Sequence, residues 1–152
     1  MAVFEWDWAV FWRHLPDLIE AGRITLFAAL ASFALALVLG LPIALGREAR
    51  SAWLRRPVAA AAEFVRRTPP LVQIYFVYYA LPDLGLTLPA LTAGVLVLGV
   101  HYATYVSEVY RAGLAGVPRG QADACRALGL RPATAFRLVI APQALIPVTP
   151  AL

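Results

Sequence analysis

The sequence predicts an all-α fold, a polytopic membrane helical bundle, from two long uncharged stretches and a small share of charged residues. Residues 24–46 and 84–107 contain no Asp, Glu, Lys or Arg. About 20 apolar residues in a helix cross the ~30 Å hydrocarbon core of a bilayer. Charged residues make up 14% of the chain, against roughly 25% in a typical soluble domain. We therefore predict three complete spans, a cytoplasmic loop and the start of a fourth span, within one partial transmembrane domain, residues 1–152.

The N-terminal segment, residues 1–22, differs in composition from the first span. The first 23 residues contain four acids and two arginines, together with Trp6, Trp8 and Trp12. Tryptophans mixed with charges are typical of the membrane–water interface. A cleaved signal peptide would instead have a basic start and an apolar run of roughly 7–15 residues. We predict an interfacial segment on the outer surface.

Small residues recur at intervals of four in the first span and again in the third. The first set is Ala28, Ser32, Ala36, Gly40 and Ala44; the second is Gly99, Ala103 and Ser107. Such a ridge lets another helix approach closely in lipid. We interpret both ridges as packing faces, and we expect their partners to be helices that this chain does not supply.

The second span is the least regular. Residues 68–82 would form a helix only about 22 Å long, so we expect the span to begin near Pro57, which suits a first helical turn. It would then contain Arg66, Arg67 and the pair Pro69–Pro70. Two interpretations remain open: a broken helix that lines a cavity, or arginines that only mark the inner interface.

Arginine placement predicts the topology. Two arginines precede the first span, and the other eleven lie in residues 47–67 and 108–142. The positive-inside rule then predicts an outside N-terminus and cytoplasmic loops in a bacterial inner membrane. Nucleic-acid binding is excluded as the reason for the net charge of +4, because the basic residues lie between spans. Cys125 is the one cysteine, so an internal disulfide is excluded.

Three titratable residues, one within the third span and two at its end, invite functional interpretations. His101 lies inside the span, where an ionisable group is a functional hypothesis, although a neutral packing histidine is the alternative. Glu108 and Arg111 lie three residues apart at its inner end and share a helix face. They form either an ion pair or two independently solvated charges.

Residues 116–142 predict a cytoplasmic loop built of two short helices. Pro118 would start the first helix, and Gly129 would end it in a left-handed conformation. Pro132 would open the second helix, and Pro142 would follow its end. Small residues mixed with polar ones along this loop would let it seat in the groove of a partner.

This loop resembles the cytoplasmic coupling loop, or "EAA" loop, of ABC importer permeases. The matching positions are Asp123, Ala124, Cys125, Gly129, Ala141 and Pro142. Three of them depart from the family pattern, which has Glu at the position of Asp123, Ala at that of Cys125 and Leu at that of Ala141. Residues 67–73, 105–114 and 117–121, and the opening residues 4–8 with 23–26, resemble the polar amino-acid branch of that family.

The resemblance implies a permease subunit of an ATP-driven amino-acid importer, with no covalent chemistry of its own. The implied partners are an ABC ATPase, which binds the ATP, a second permease subunit in a homo- or heterodimer, an extracytoplasmic amino-acid-binding protein and the lipid bilayer. No cofactor, metal or nucleic acid is implied. The coupling residues would be Gly120, Asp123, Ala124, Cys125, Arg126, Gly129 and Pro142. The translocation pathway would include Thr68, Pro69, Gln73, His101 and Glu108.

Three alternatives remain: a non-transporting membrane scaffold or assembly subunit, an inactive permease fragment, and a membrane-embedded enzyme. Members of the resembled family usually have five spans. We therefore expect a chain that is truncated where a fourth span begins, near Pro147 and Pro150, and that does not transport alone.

Overall fold

The computed structural model describes residues 7–149, and the described residues form helices and turns without a β-strand. This confirms the all-α class. The helices are α1 Trp8–Arg47, α2 Ala52–Arg67, α3 Pro70–Tyr75, α4 Ala90–Gly116, α5 Arg119–Ala127, α6 Pro132–Ala135 and α7 Ala141–Val148. Two π-helical turns, Phe76–Ala80 and Phe136–Ile140, extend α3 and α6, and a 3-10 turn covers Pro82–Leu84.

Helix α1 is 40 residues long, or about 60 Å, twice the hydrocarbon thickness. It begins at Trp8, where the Asp7 carboxylate accepts a hydrogen bond from the Ala9 N–H (2.8 Å). Residues 8–22 are therefore helical and continuous with the first predicted span. Their location at the interface stays a prediction, and residues 1–6 lie outside the described residues. Within the described part, α1 and α4 are long and apolar enough to cross a membrane.

The two small-residue ridges pack against each other, so the expectation that their partners lie outside this chain was wrong. Ser32, Ala36, Gly40 and Ala44 are buried on α1, and Gly99, Ala103 and Ser107 are buried on α4. A Cβ added to Gly40 would lie 2.6 Å from Val106 Cγ1. The ridges match because small side chains on both helices let the backbones come close.

Helices α1 and α4 run parallel. The Ser32 hydroxyl donates to the Val95 carbonyl (3.4 Å), and further along both helices Arg111 pairs with Glu48 (2.7 Å). Two parallel helices need a connection that returns along their length. The segment from α2 to the turn at 82–84 makes this return, since Gln73 contacts His101 midway along α4.

The return segment begins earlier than the predicted start near Pro57. Helix α2 begins at Ala52, and Pro57 lies in its interior and not in its first turn. The helix ends at Arg67, because Pro69 and Pro70 have no N–H to continue the ladder. Helix α3 then starts afresh at Pro70. The break that the first interpretation required is therefore present, and Arg66 and Arg67 occupy the last turn of α2 before it.

The helix that opens at Pro132 does not end before Pro142, which corrects a second prediction. The π-helical turn Phe136–Ile140 leads directly into α7, and the Ala141 N–H bonds the Phe136 carbonyl five residues back. Proline clashes with the carbonyl four residues before it in a regular helix. The wider turn gives the Pro142 ring room, so the helix continues.

The helix that was expected to start a fourth span near Pro147 accordingly begins much earlier, at Pro132. Pro147 lies inside α7, and Pro150 lies outside the described residues. Helix α7 packs on the end of α4, where a Cβ on Gly113 would lie 2.5 Å from the Ala144 carbonyl oxygen. The absence of a side chain at Gly113 thus permits this close crossing.

Candidate functional site

The helix break is the gap between α2 and α3 at Thr68 and Pro69. In a continuous helix the Val65 carbonyl would accept from the N–H of residue 69, which is a proline. The Gln73 side chain replaces that donor: its Nε2 lies 2.8 Å from the Val65 carbonyl and 2.8 Å from the Thr68 carbonyl. A side-chain amide from the next helix therefore stabilises the broken end.

His101 holds the Gln73 amide from the opposite side. Its Nδ1 lies 3.0 Å from Gln73 Nε2, and the residue is 4% exposed. An amide nitrogen cannot accept a hydrogen bond, so Nδ1 acts as the acceptor and shares one of the two amide hydrogens with a carbonyl; the ring proton then belongs on Nε2. The imidazole also contacts the rings of Tyr102 and Tyr105, at centroid distances of 5.4 and 5.5 Å. The geometry is that of a neutral, hydrogen-bonded histidine.

The charge cluster lies in the C-terminal half of α4 and centres on Glu108. Glu108 Oε1 lies 2.8 Å from both Arg47 Nη2 and Arg66 Nη2, and Oε2 lies 2.8 Å from Arg111 Nη1. Arg111 also bonds Glu48 at 2.7 Å. The structure thus contains the Glu108–Arg111 ion pair that the spacing suggested, and adds arginines from α1 and α2. One carboxylate joins three helices.

Two further contacts fix the arginines at the end of α2. The Arg66 guanidinium lies over the Tyr105 ring, 5.5 Å from its centroid, a cation–π geometry. Arg67 Nε donates to Glu63 Oε1 (2.7 Å). The hydrogen bond from Arg67 lowers the pKa of Glu63 from its ordinary value. The first contact joins the last turn of α2 to α4, and the second lies within α2.

An open apolar groove runs between the return segment and α4. It has a volume of about 630 Å³. Its lining is Phe64, Val65, Thr68, Val72, Gln73, Phe76, Val77, Leu81, Leu88, Leu96, Val97 and Val100. Gln73 and Thr68 thus supply the polar groups of an otherwise hydrophobic groove.

The knob, residues 117–131, contains α5 and the turn that closes it. Gly129 has φ +70°, as predicted for a left-handed helix cap. The Leu130 N–H bonds the Cys125 carbonyl and the Gly129 N–H bonds the Arg126 carbonyl, both at 3.0 Å. These two bonds form a Schellman motif. No atom would lie within 4 Å of a Cβ on Gly129, so the requirement for glycine is one of backbone conformation.

The surface of the knob mixes small, charged and apolar groups. Gly120, Asp123, Ala124 and Arg126 are exposed, and Leu128 at the tip is 78% exposed. Arg126 pairs with Asp123 one turn away. Cys125 is buried against the chain itself. A Gln143–Gln121 hydrogen bond (3.3 Å) anchors α5 to α7.

The predicted residues thus form two separate groups. Thr68, Pro69 and Gln73 meet at the helix break, and His101 and Glu108 lie seven residues apart on the adjoining helix. The coupling residues lie together on the knob, except Pro142, which stands in the first turn of α7. Sequence reasoning missed Arg47, Glu48 and the role of Arg66 in the charge cluster. Their signal was weak, since each merely flanks an apolar stretch.

Comparison with known proteins identifies a family. Residues 36–152 match the family model of the binding-protein-dependent transport system inner membrane component. A probable amino-acid ABC transporter permease of Sinorhizobium fredii is 45% identical over 91% of this chain and 60% of its own length. The glutamine transport system permease of Escherichia coli is 33% identical over 93% of this chain and 65% of its own length. The chain spans less than two thirds of the length of these relatives.

Solved structures share the fold. A chain from a crystal structure of an amino acid ABC transporter with histidines has a TM-score of 0.83 and 34% identity, covering 97% of this chain and 69% of that chain. A chain of an inward-facing methionine ABC transporter, MetNI, has a TM-score of 0.69 and 22% identity, covering 96% of this chain and 69% of that chain. The latter similarity concerns the fold alone. With its helices, its family match and these relatives, the chain belongs to the family of binding-protein-dependent transport system inner membrane components.

Proposed function

We propose that this chain is the permease part of an ATP-driven amino-acid importer, which couples to a cytoplasmic ATPase through the knob. The observation that carries the proposal is the knob itself, a short helix closed by a left-handed glycine and presenting an exposed face. Small residues on that face, such as Gly120 and Ala124, would let a partner approach closely. The names of the relatives support the amino-acid substrate.

The translocation pathway would run along α4 beside the helix break. Gln73 and His101 supply the polar groups there, and the apolar groove supplies the wall. Broken helices at membrane depth are typical of transport pathways. An external binding protein and a second permease subunit would complete the importer, with the N-terminus outside and the knob in the cytoplasm.

The first experiment substitutes Gly129 with valine. Valine at φ +70° costs about 1 kcal/mol or more, so the cap should open and the knob should change shape. The variant is made in a version that carries the remaining spans of the Sinorhizobium relative, with an ATPase and a binding protein supplied. We expect correct membrane insertion, loss of ATPase co-purification and loss of amino-acid uptake.

Gly85 provides a matched control. It also has a positive φ, +84°, and a Cβ placed on it would likewise have no atom within 4 Å. It lies in the turn after residues 82–84, far along the chain from the knob. Gly85→Val should therefore keep ATPase binding, and Gly129→Asn should keep it too, because Asn tolerates a left-handed conformation. Normal coupled uptake by Gly129→Val would contradict the proposed role of the knob in coupling to the ATPase.

A further inference from the structure

Three arginines at the start of α2 have no acidic partner. Within residues 7–149, no carboxylate lies within ion-pair distance of Arg50, Arg55 or Arg56, although Arg55 Nη1 contacts the Ala49 carbonyl (3.3 Å). The nearest acid in sequence, Glu48, is already bound by Arg111 at 2.7 Å. All three arginines are exposed. The start of α2 is therefore a surface with uncompensated positive charge.

Large apolar side chains stand among these arginines. Trp53 is 92% exposed and Leu54 is 52% exposed. Trp53 and Arg56, with Ala52 and Pro57, line a shallow concavity of about 470 Å³. Burying the large apolar surface of a tryptophan is favourable. An exposed tryptophan therefore favours contact with an amphipathic medium or a partner.

The apolar surface continues along the whole of α2. Pro57, Ala60 and Phe64 follow Trp53 at intervals of three or four, which places them on one helix face. Phe64 is 72% exposed. The helix contacts the rest of the chain through a different side, which includes the buried Ala62 and Val58 beside Gly46. The face with Trp53 and Phe64 thus points away from the described chain.

The position of α2 relative to the spans identifies the medium. The helix follows Arg47, where the first uncharged stretch ends, and its last turn reaches Glu108, where the second one ends. Both ends of α2 therefore lie at the level where hydrocarbon gives way to headgroups. Arg56 lies beside the aromatic face, while Arg50 precedes the helix and Arg55 turns back to the Ala49 carbonyl at its start. A helix with Trp and Phe on one face and arginines at its edge and its first turn lies in this plane of a membrane.

We propose that Arg50, Arg55, Arg56 and Trp53 form a binding surface for acidic phospholipid headgroups. The guanidinium groups would pair with lipid phosphates, and Trp53 would insert at the boundary with the acyl chains. The charge of the surface favours a lipid over a protein, because a row of anionic headgroups neutralises all three arginines without a shaped partner. The proposal requires that the chain lies in a membrane, and it does not require that the chain transports anything.

The test uses the 152-residue chain with Trp53 as its single tryptophan, after substitution of Trp6, Trp8 and Trp12 by Phe. The protein is reconstituted in phosphatidylcholine vesicles that contain either brominated phosphatidylglycerol or brominated phosphatidylcholine at equal mole fraction. Bromine quenches tryptophan fluorescence at contact. We expect stronger quenching of Trp53 by the acidic lipid, and a preference that decreases as salt is added.

Two triple variants separate local binding from general charge. Arg50→Gln/Arg55→Gln/Arg56→Gln removes the surface, and Arg119→Gln/Arg131→Gln/Arg137→Gln removes three other exposed arginines. One basic residue near an acidic surface changes affinity about fivefold. The first variant should therefore bring the quenching ratio to about one, and the second should leave it unchanged.

Each other result would overturn the proposal. Equal quenching by the two lipids in the parent protein would show that the surface has no headgroup preference. Absence of quenching by both would show that lipid does not contact Trp53. A loss of preference in both triple variants would assign the effect to net charge. Size-exclusion profiles that match the parent protein verify that each variant is folded.

Discussion

Gln73 shows how one side chain can take over the work of a missing backbone donor. The helix break at Pro69 and Pro70 leaves carbonyl groups at the end of α2 outside the regular helical hydrogen-bond ladder. The side-chain amide of Gln73 donates to two of them, each at 2.8 Å. Without the Gln73 amide, the Val65 carbonyl keeps only the 3.3 Å bond from the Thr68 N–H, and the Thr68 carbonyl loses its side-chain donor. An acceptor left without a donor costs about 1–3 kcal/mol. Gln73→Leu, of similar size, should therefore lower the free energy of unfolding in detergent by about 1–3 kcal/mol and speed amide exchange in residues 71–75.

Gln143→Leu is the matched control for this substitution. Gln143 bonds the side chain of Gln121 (3.3 Å) and no backbone carbonyl in the described residues. Its loss should cost under about 1 kcal/mol, the net value of an ordinary hydrogen bond. If the two variants were equally destabilised, the Gln73 amide would have no special role at the helix break.

At the scale of helices, the close contact between α1 and α4 requires glycine at position 99 of α4 and does not require it at position 94. A Cβ on Gly99 would lie 2.5 Å from Leu35 Cδ2, whereas a Cβ on Gly94 of the same helix has no atom within 4 Å. Alanine inside a helix is favoured over glycine by about 0.5–1 kcal/mol. Gly94→Ala should raise the melting temperature, and Gly99→Ala should lower it. Shifts of the same sign would contradict the close packing.

The charge cluster gives a second prediction at this scale. Glu108→Gln leaves three arginines converging on a neutral amide. Breaking a buried ion pair costs about 3–5 kcal/mol, and the Glu108 side chain is 35% exposed, so we expect a smaller loss of about 2 kcal/mol. Glu63→Gln, which removes a more exposed pair with Arg67, should cost clearly less. Chemical denaturation of both variants measures the difference.

A charge swap would distinguish a cluster from a simple pair. Exchange of Glu108 and Arg111 keeps their mutual attraction, but it places an arginine beside Arg47 and Arg66. The swapped double variant should therefore stay less stable than the parent protein. Full recovery of stability would mean that the pair acts alone and that the arginines of α1 and α2 contribute little.

For the whole molecule, the parallel course of α1 and α4 constrains the topology. Both helices end at the charge cluster, so the loop after α1 and the knob after α4 should face the same compartment. In a Cys125→Ala background, a cysteine at Arg50 or Arg119 should label from the cytoplasmic side, and a cysteine at Asp83 from outside. Labelling of Arg50→Cys and Asp83→Cys from the same side would exclude this arrangement.

The sequence was sufficient for features that depend on local chemistry. The four-residue spacing predicted which faces of α1 and α4 are buried, and the Gly129 cap followed from the motif around it. It could not show that the two ridges meet each other, because a spacing gives a face and no partner. The bond from Gln73 to Val65 was equally hidden, since it joins two helices across a proline break.

Prolines gave the least reliable predictions because their effect depends on the turn before them. Pro142 and Pro82 each follow a five-residue π-helical turn that starts at a phenylalanine, Phe136 in one case and Phe76 in the other. After the first, the helix continues; after the second, the chain enters a 3-10 turn and leaves the helix at Gly85. A π-helical turn thus precedes both prolines, although the helix continues after one and ends after the other. Contacts with neighbouring parts of the chain decide between the two.

The π-helical turn before Pro142 also sets the rotational phase of everything after it. One residue more or less in a helix rotates the following side chains by about 100°. A π-helical turn, however, holds one residue more than an α-helical turn, so deletion of a single residue within 136–140 would let the turn relax to a regular α-helix while Ala144 and Val148 keep their positions against α4. The cost of that deletion would instead fall on Pro142, whose ring would meet the carbonyl four residues before it. The extra residue of this turn therefore serves the proline, and replacement of Pro142 should make a deletion within 136–140 tolerable.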